Sequence, residues 1–182
     1  MFDQMLQSLM VGLKVTGHPT NARDDKSLQD ALDALKKQYP LVVYKNDEYK
    51  RLLQSEDVWI SMAWNGDAAK EAKTKPALKY VIPKEASTMW VDNLVLLANP
   101  CNREGALAFL DYIMEPEVNA KISEAIYYAA CNKDAKKHLS KAALEDKTIY
   151  PDDESLKRCE FREDPGDDLA KFKKIWDAVK GN

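Results

Sequence analysis

The sequence predicts an α/β fold with a mostly parallel or mixed sheet, and three observations carry that expectation. Short apolar runs of strand length alternate with stretches whose apolar residues recur at helical spacing. Turn residues separate the two kinds of stretch, and no internal repeat or low-complexity tract interrupts them. The chain has 182 residues, 45% of them hydrophobic, which suffices for one sound core and a length of one domain or a little more.

Taken in order, Phe2, Met5, Leu6, Leu9 and Leu13 predict an amphipathic helix that ends before Gly17, His18 and Pro19. Ser27 is the expected cap of a second helix, with Leu28, Leu32 and Leu35 on one side and Pro40 as its stop. LVVY (41–44) reads as a short buried strand, and Asn46 as the cap of a helix carrying Tyr49, Leu52 and Leu53. VWISMAW (58–64) alternates and runs into Asn65, Gly66 and Asp67, the pattern of strand, turn and helix start. LKYVI (78–82) reads as a strand stopped by Pro83, and Trp90-Val91-Asp92 leads into a further apolar strand, LVLLA (94–98).

NPCNREG (99–105) is turn chemistry opening a helix on Leu107, Leu110 and Met114. Pro116 restarts a helix at its favoured first position, with Val118, Ile122 and Ile126 on one stripe and Tyr127-Tyr128 at its end. KDAKKHLSKAALEDK (133–147) is expected to be a basic, solvated helix, and 148–168 a long polar connection. The last helix turns Leu169, Phe172, Trp176 and Val179 inward, with Gly181 past its end as C-cap.

Composition narrows the function. Charged residues make up 31% and the net charge is −3, the pI is near 5.5 and the mean hydropathy is −0.52. An acidic chain of this kind argues against a nucleic-acid surface, and no apolar run is long enough to span a bilayer. MFDQMLQSLMVGLK shows no basic n-region followed by a cleavage site, so it does not read as a signal peptide. Cys101, Cys131 and Cys159 are odd in number and lack CxxC spacing, so buried free thiols are expected rather than a disulfide framework. His18 and His138 are isolated, leaving no metal site on spacing grounds. No GxSxG, HExxH or Gly-rich phosphate loop is present, so neither catalysis nor a cofactor is expected.

What the chain does carry is aromatic residues beside carboxylates. Trp90 and Asp92 are two apart and share one face of an extended chain. A tryptophan ring beside a carboxylate supplies what an organic ammonium needs: a counter-ion, a negative ring face and flat apolar surface for methylenes. On residues alone the same pair is also a surface hairpin pair. Trp64, at the end of an apolar run, reads first as a core tryptophan, and Asp67 reads equally as a first-turn helix carboxylate.

The order AWNGDA, IPKEASTMWVDNLVLLANP, EPEV, IYYAACN and TIYPDDE resembles the polyamine-binding, spermidine/putrescine-type solute-binding proteins of bacterial ABC transporters, with IPKEASTMWVDNL its most specific piece. The resemblance covers nearly the whole chain and starts where such a protein would be about halfway through. It implies a periplasmic-binding-protein type II-like fold, with ligand held between two lobes joined by crossover strands. Residues 1–92 and 160–182 would form the second lobe, and 93–159 a crossover segment belonging to the first. It implies that Trp64 and Trp90 are ligand walls, Asp92 a counter-ion, Asp67 a further acidic contact, and Tyr128 rather than Tyr127 the ligand-facing tyrosine. Arg162 departs from the polar residue the family often presents to a terminal amine; pairing with Glu160 or Glu163 is expected, and a triamine and a diamine both stay open. The implied partners are a polyamine and the permease subunits of an ABC importer, and the implied place is the periplasm or the cell exterior, at the membrane surface. LVLLA and the helices over 104–126 would lack part of their packing in this chain, so dimerisation, swapping or local disorder is expected; a structural, self-associating module without ligand is the alternative reading, and a hydrolase or transferase the weakest.

Overall fold

The computed structural model describes residues 1–181. Among them are nine α-helices, α1 (Met5–Val15), α2 (Asp25–Gln38), α3 (Tyr49–Gln54), α4 (Asn65–Thr74), α5 (Arg103–Met114), α6 (Pro116–Ile126), α7 (Lys141–Glu145), α8 (Asp153–Arg158) and α9 (Leu169–Lys180). One two-stranded parallel sheet pairs β1 (Thr88–Met89) with β2 (Glu160–Phe161). The chain divides into two compact units, the first built from 1–62, 82–90 and the segment from 154 onward, the second from 63–81 and 91–153. Residues 63–81 thus group with 91–153, and 154–159 with the first unit.

The first unit is a helical core. Leu9, Leu28, Leu32, Leu35, Phe172 and Val179, from α1, α2 and α9, form one buried cluster, as the helical spacing of the leucines requires. α1 and α2 approach closely because Gly12 has no side chain: a Cβ there would lie 2.9 Å from the Ala31 carbonyl oxygen and 3.0 Å from the Leu35 side chain. The α2 cap is Asp24 rather than Ser27. The Asp24 carboxylate accepts from the Ser27 N–H at 2.9 Å, because Ser27 already stands in the first turn, and its hydroxyl donates to Asp24 at 2.7 Å. At α9 the expected inward face holds for Phe172 and Val179, whereas Leu169 is exposed, and Gly181 takes the left-handed cap with φ 79°.

Register in the sheet sets Thr88 against Glu160 and Met89 against Phe161. Glu160 ties β2 to the end of α1, accepting from Lys14 Nζ and from the Thr20 N–H at 2.8 Å. Burial alone would raise its pKa; the Lys14 and Thr20 hydrogen bonds outweigh that and hold it below the ordinary 4.5. A carboxylate with a depressed folded pKa stabilises above the unfolded value, and that contribution is lost as pH falls through the folded value. Glu160→Gln is therefore expected to remove part of the stability at neutral pH and to flatten the acid limb below about 4.5. Denaturant midpoints from pH 7 to pH 3, compared with the parent, measure this; parallel curves would contradict it.

The other expected strands do not form ladders. Residues 58–63, 78–82 and 94–98 carry no strand, and 41–44 holds the end of a single 3₁₀ turn followed by irregular chain. A strand needs a neighbour to pair with, and alternation in sequence shows only that a stretch would suit one. Several side chains of these runs face solvent, with Trp59 at 87%, Ile60 at 91% and Val95 at 79% exposure. The basic stretch 133–147 is likewise split, into a 3₁₀ turn over Lys133–Lys137 and the short α7, whose start Ser140 caps by accepting from the Ala143 N–H at 3.2 Å.

In the second unit the core is smaller, with Ala120, Ala135 and Leu139 buried and Ala130, Ala143 and Tyr150 against them. Its corner after α5 is knitted by polar groups. Buried Asn119 donates to the Ile113 carbonyl at 3.1 Å and accepts from the Asn132 N–H at 3.0 Å, while Asn132 donates to the Met114 carbonyl at 2.7 Å. The cysteines are all free, as expected, but Cys101 and Cys131 are exposed rather than buried, because the turns that carry them are surface turns.

Candidate functional site

Trp64, Asp67 and Tyr128 are positioned by the start of one helix and the end of another. Trp64 is the extended residue before α4, its carbonyl accepting from the Ala68 N–H at 2.9 Å. Gly66 and Asp67 lie in the first turn of α4, so Asp67 is held where the helix dipole favours a negative charge. Asn65 fastens this turn by donating to the Thr148 carbonyl at 2.9 Å.

Tyr128 arrives from the far end of α6. That helix closes at Tyr127, whose backbone is left-handed (φ 61°, ψ 28°), a conformation that favours glycine and that a tyrosine takes at a cost of about 1–2 kcal/mol. The reversal separates the two adjacent tyrosines. Tyr127 receives Lys73, whose ammonium is 5.7 Å from the ring centroid, and borders a cavity of ≈ 290 Å³ with Glu124, Ser140 and Asp146. Tyr128 instead lies against Gly66, and its carbonyl accepts from the Ser123 hydroxyl.

Electrostatics tie the cluster together. Burial of the Tyr128 phenol is the largest influence on it and raises its pKa above the ordinary 10; the Asp67 charge adds to this, and the Asp92 charge more weakly. Backbone N–H groups of Asp67 and Gly66 hydrogen-bond the phenolic oxygen and pull the other way. The fold thus brings Trp64, Asp67, Asp92 and Tyr128 into one compact unit, and joins three of them electrostatically. Trp90 belongs to the other unit, next to β1, and is 42% exposed. Asp92 is exposed and Asp67 and Trp64 are half-buried.

The pairing expected for Arg162 is not formed. Lys14 takes Glu160, and Arg23 takes Glu163 at 3.2 Å, each being the cation that the adjoining helix and turn bring closest. Gly66 and Ser123 are residues around Tyr128 that the sequence did not single out for the site. The NG of AWNGDA was legible as a turn, but nothing local tells that its glycine faces a ring from α6.

Three comparisons with known proteins place the chain as a whole. Residues 1–151 match the family of bacterial extracellular solute-binding proteins. The chain is 31% identical over 179 residues to a spermidine/putrescine-binding periplasmic protein of Salmonella typhimurium, covering 98% of this chain and 51% of that protein. It is 28% identical to the putrescine-binding periplasmic protein SpuD of Pseudomonas aeruginosa, at 98% and 51% coverage. Among solved structures, the spermidine/putrescine ABC transporter substrate-binding protein PotD from Streptococcus pneumoniae superposes with a TM-score of 0.87 at 30% identity, covering 99% of this chain and 56% of that one. This likeness bears out the type II-like periplasmic-binding fold expected from the resemblance. The chain spans about half the length of the curated relatives it matches.

Proposed function

The chain belongs to the bacterial extracellular solute-binding protein family, and on that premise we propose that it carries part of the binding surface for a polyamine, a putrescine- or spermidine-like cation. The observation that supports this most is the half-buried Tyr128 ring packed on the first turn of α4, where Asp67 stands, in the unit that also holds Asp92. Two carboxylates held near one aromatic ring match a diammonium chain, with charge for its ends and apolar surface for its methylenes. In this reading Asp67 and Asp92 are counter-ions, Trp64 a wall and Tyr128 the aromatic floor within the second unit, and Trp90 is a separate aromatic contact of the first unit. The names of the relatives, spermidine/putrescine-binding and putrescine-binding periplasmic proteins, favour the same ligand class. The protein then acts outside the cytoplasm, held at the membrane surface, delivering its ligand to the permease subunits of an ABC importer.

Titration followed by tryptophan fluorescence tests this, since Trp64 and Trp90 are two of the four tryptophans. The 182 residues alone are expected to bind putrescine or spermidine with a dissociation constant of roughly 1 mM at physiological salt, where about 4 kcal/mol of binding survives. Lower salt tightens binding because exposed charges are less screened. An amino-acid panel gives no response, and Asp67→Asn combined with Asp92→Asn abolishes the signal. A response unchanged in that double variant, or none in the parent at low salt, would overturn the reading.

A second reading, self-association, is favoured by one observation. Leu94, Val95, Leu97, Phe109 and Tyr112 of the second unit are between 57% and 79% exposed, and side chains of this size seldom stay open to water in one stretch of chain.

A further inference from the structure

We propose that Gly66 is a positioning residue for this site: lacking a side chain, it admits the Tyr128 ring against the first turn of α4, the turn that carries Asp67. The inference rests on the polyamine reading of the site.

The close approach is specific to this pair. A Cβ built on Gly66 would lie 2.2 Å from Tyr128 Cε2 and 2.5 Å from both Cδ2 and Cζ. Carbon atoms at rest stand about 3.5–4.0 Å apart, so the ring would have to move by more than an ångström. The backbone that carries it is held against such a move, because the Ser123 hydroxyl bonds the Tyr128 carbonyl. The left-handed backbone at Tyr127 fixes the direction in which the next side chain leaves α6.

Helix formation does not call for this glycine. Gly66 has no left-handed backbone angle, and the first turn of a helix accepts alanine more readily than glycine. Space for the ring is what remains as its role.

Carbon-13 NMR of tyrosine labelled at Cζ, with the Tyr128 signal assigned by its loss in Tyr128→Phe, reads the placement of the ring directly. In the parent chain Tyr128 titrates above 10. In Gly66→Ala the ring is displaced toward water and away from Asp67 and Asp92, and its titration falls back toward 10. Putrescine affinity at low salt drops by about tenfold in Gly66→Ala, whereas in a Tyr128→Ala background the same change has no further effect, the signature of a residue acting through another. An unshifted Tyr128 titration in folded Gly66→Ala, or additive losses of affinity, overturns the proposal. If Gly66→Ala does not fold, Gly66→Ala with Tyr128→Ala must, because the ring that clashes is gone; an unfolded double variant also overturns it. Should the parent bind no polyamine, the ligand reading fails while the titration shift still decides the placement of Tyr128.

Discussion

Leu9→Ala is expected to destabilise the first compact unit by about 3 kcal/mol, within the range measured for buried leucines cut to alanine. Leu9 is completely buried, and its cluster joins α1 to the neighbouring α2, through Leu28, Leu32 and Leu35, and to the distant α9, through Phe172 and Val179. Helices that already touch along their length can close only part of the cavity, so the lost transfer energy and the unfilled space add. For a domain of this size the shift in melting temperature is about 10 °C. Thermal unfolding followed by circular dichroism measures it, with Leu97→Ala as the comparison. Leu97 is 73% exposed, and its truncation should change the midpoint little. A Leu9→Ala midpoint within a degree or two of the parent would show that this cluster is not the stabilising core.

A second large effect is expected at the exposed apolar run of the other unit. The parent chain should sediment above its 20.7 kDa mass at concentrations of tens of micromolar or more, and Val95→Lys with Leu97→Glu should return it to 20.7 kDa. Val95 is 79% exposed, so a charge there costs a folded monomer almost nothing. In a contact between two copies the same charge would be desolvated without a partner, at about 1–3 kcal/mol or more for each residue. Two such changes would weaken association by about a hundredfold. The run offers backbone as well as side chains: 94–98 belongs to no ladder, the condition in which one chain pairs with another. Sedimentation equilibrium decides the matter, and a parent chain that is monomeric throughout removes self-association as a reading.

Helices were legible wherever one face meets a core. The spacing of Leu28, Leu32 and Leu35 marks α2, Pro116 marks the start of α6, and Gly181 ends α9 in the conformation only glycine takes easily. Cap identity was less so: Asp24 and Ser27 both suit a helix start, and which of them stands outside the first turn depends on where the chain enters. The strands failed as a class. VWISMAW and LVLLA have the residues of strands, but a strand is a relation between two segments, and only β1 and β2 find each other among the described residues. Which residues could bind an ammonium was also legible, because the chemistry of Trp64, Asp67, Trp90, Asp92 and Tyr128 is written in their side chains.

The amino-acid sequence by itself therefore determined the helical faces, the acidic and aromatic character of the site and the family to which the chain belongs, all of them properties of single residues or of residues a few positions apart. Tertiary structure alone decided that Gly66 makes room for Tyr128, that Tyr127 and Tyr128 part in direction, that Glu160 answers to Lys14 and not to Arg162, and that 63–81 packs with 91–153. All but the parting of the two tyrosines, which is a backbone reversal at Tyr127, are contacts between residues far apart along the chain, and no local spacing records them.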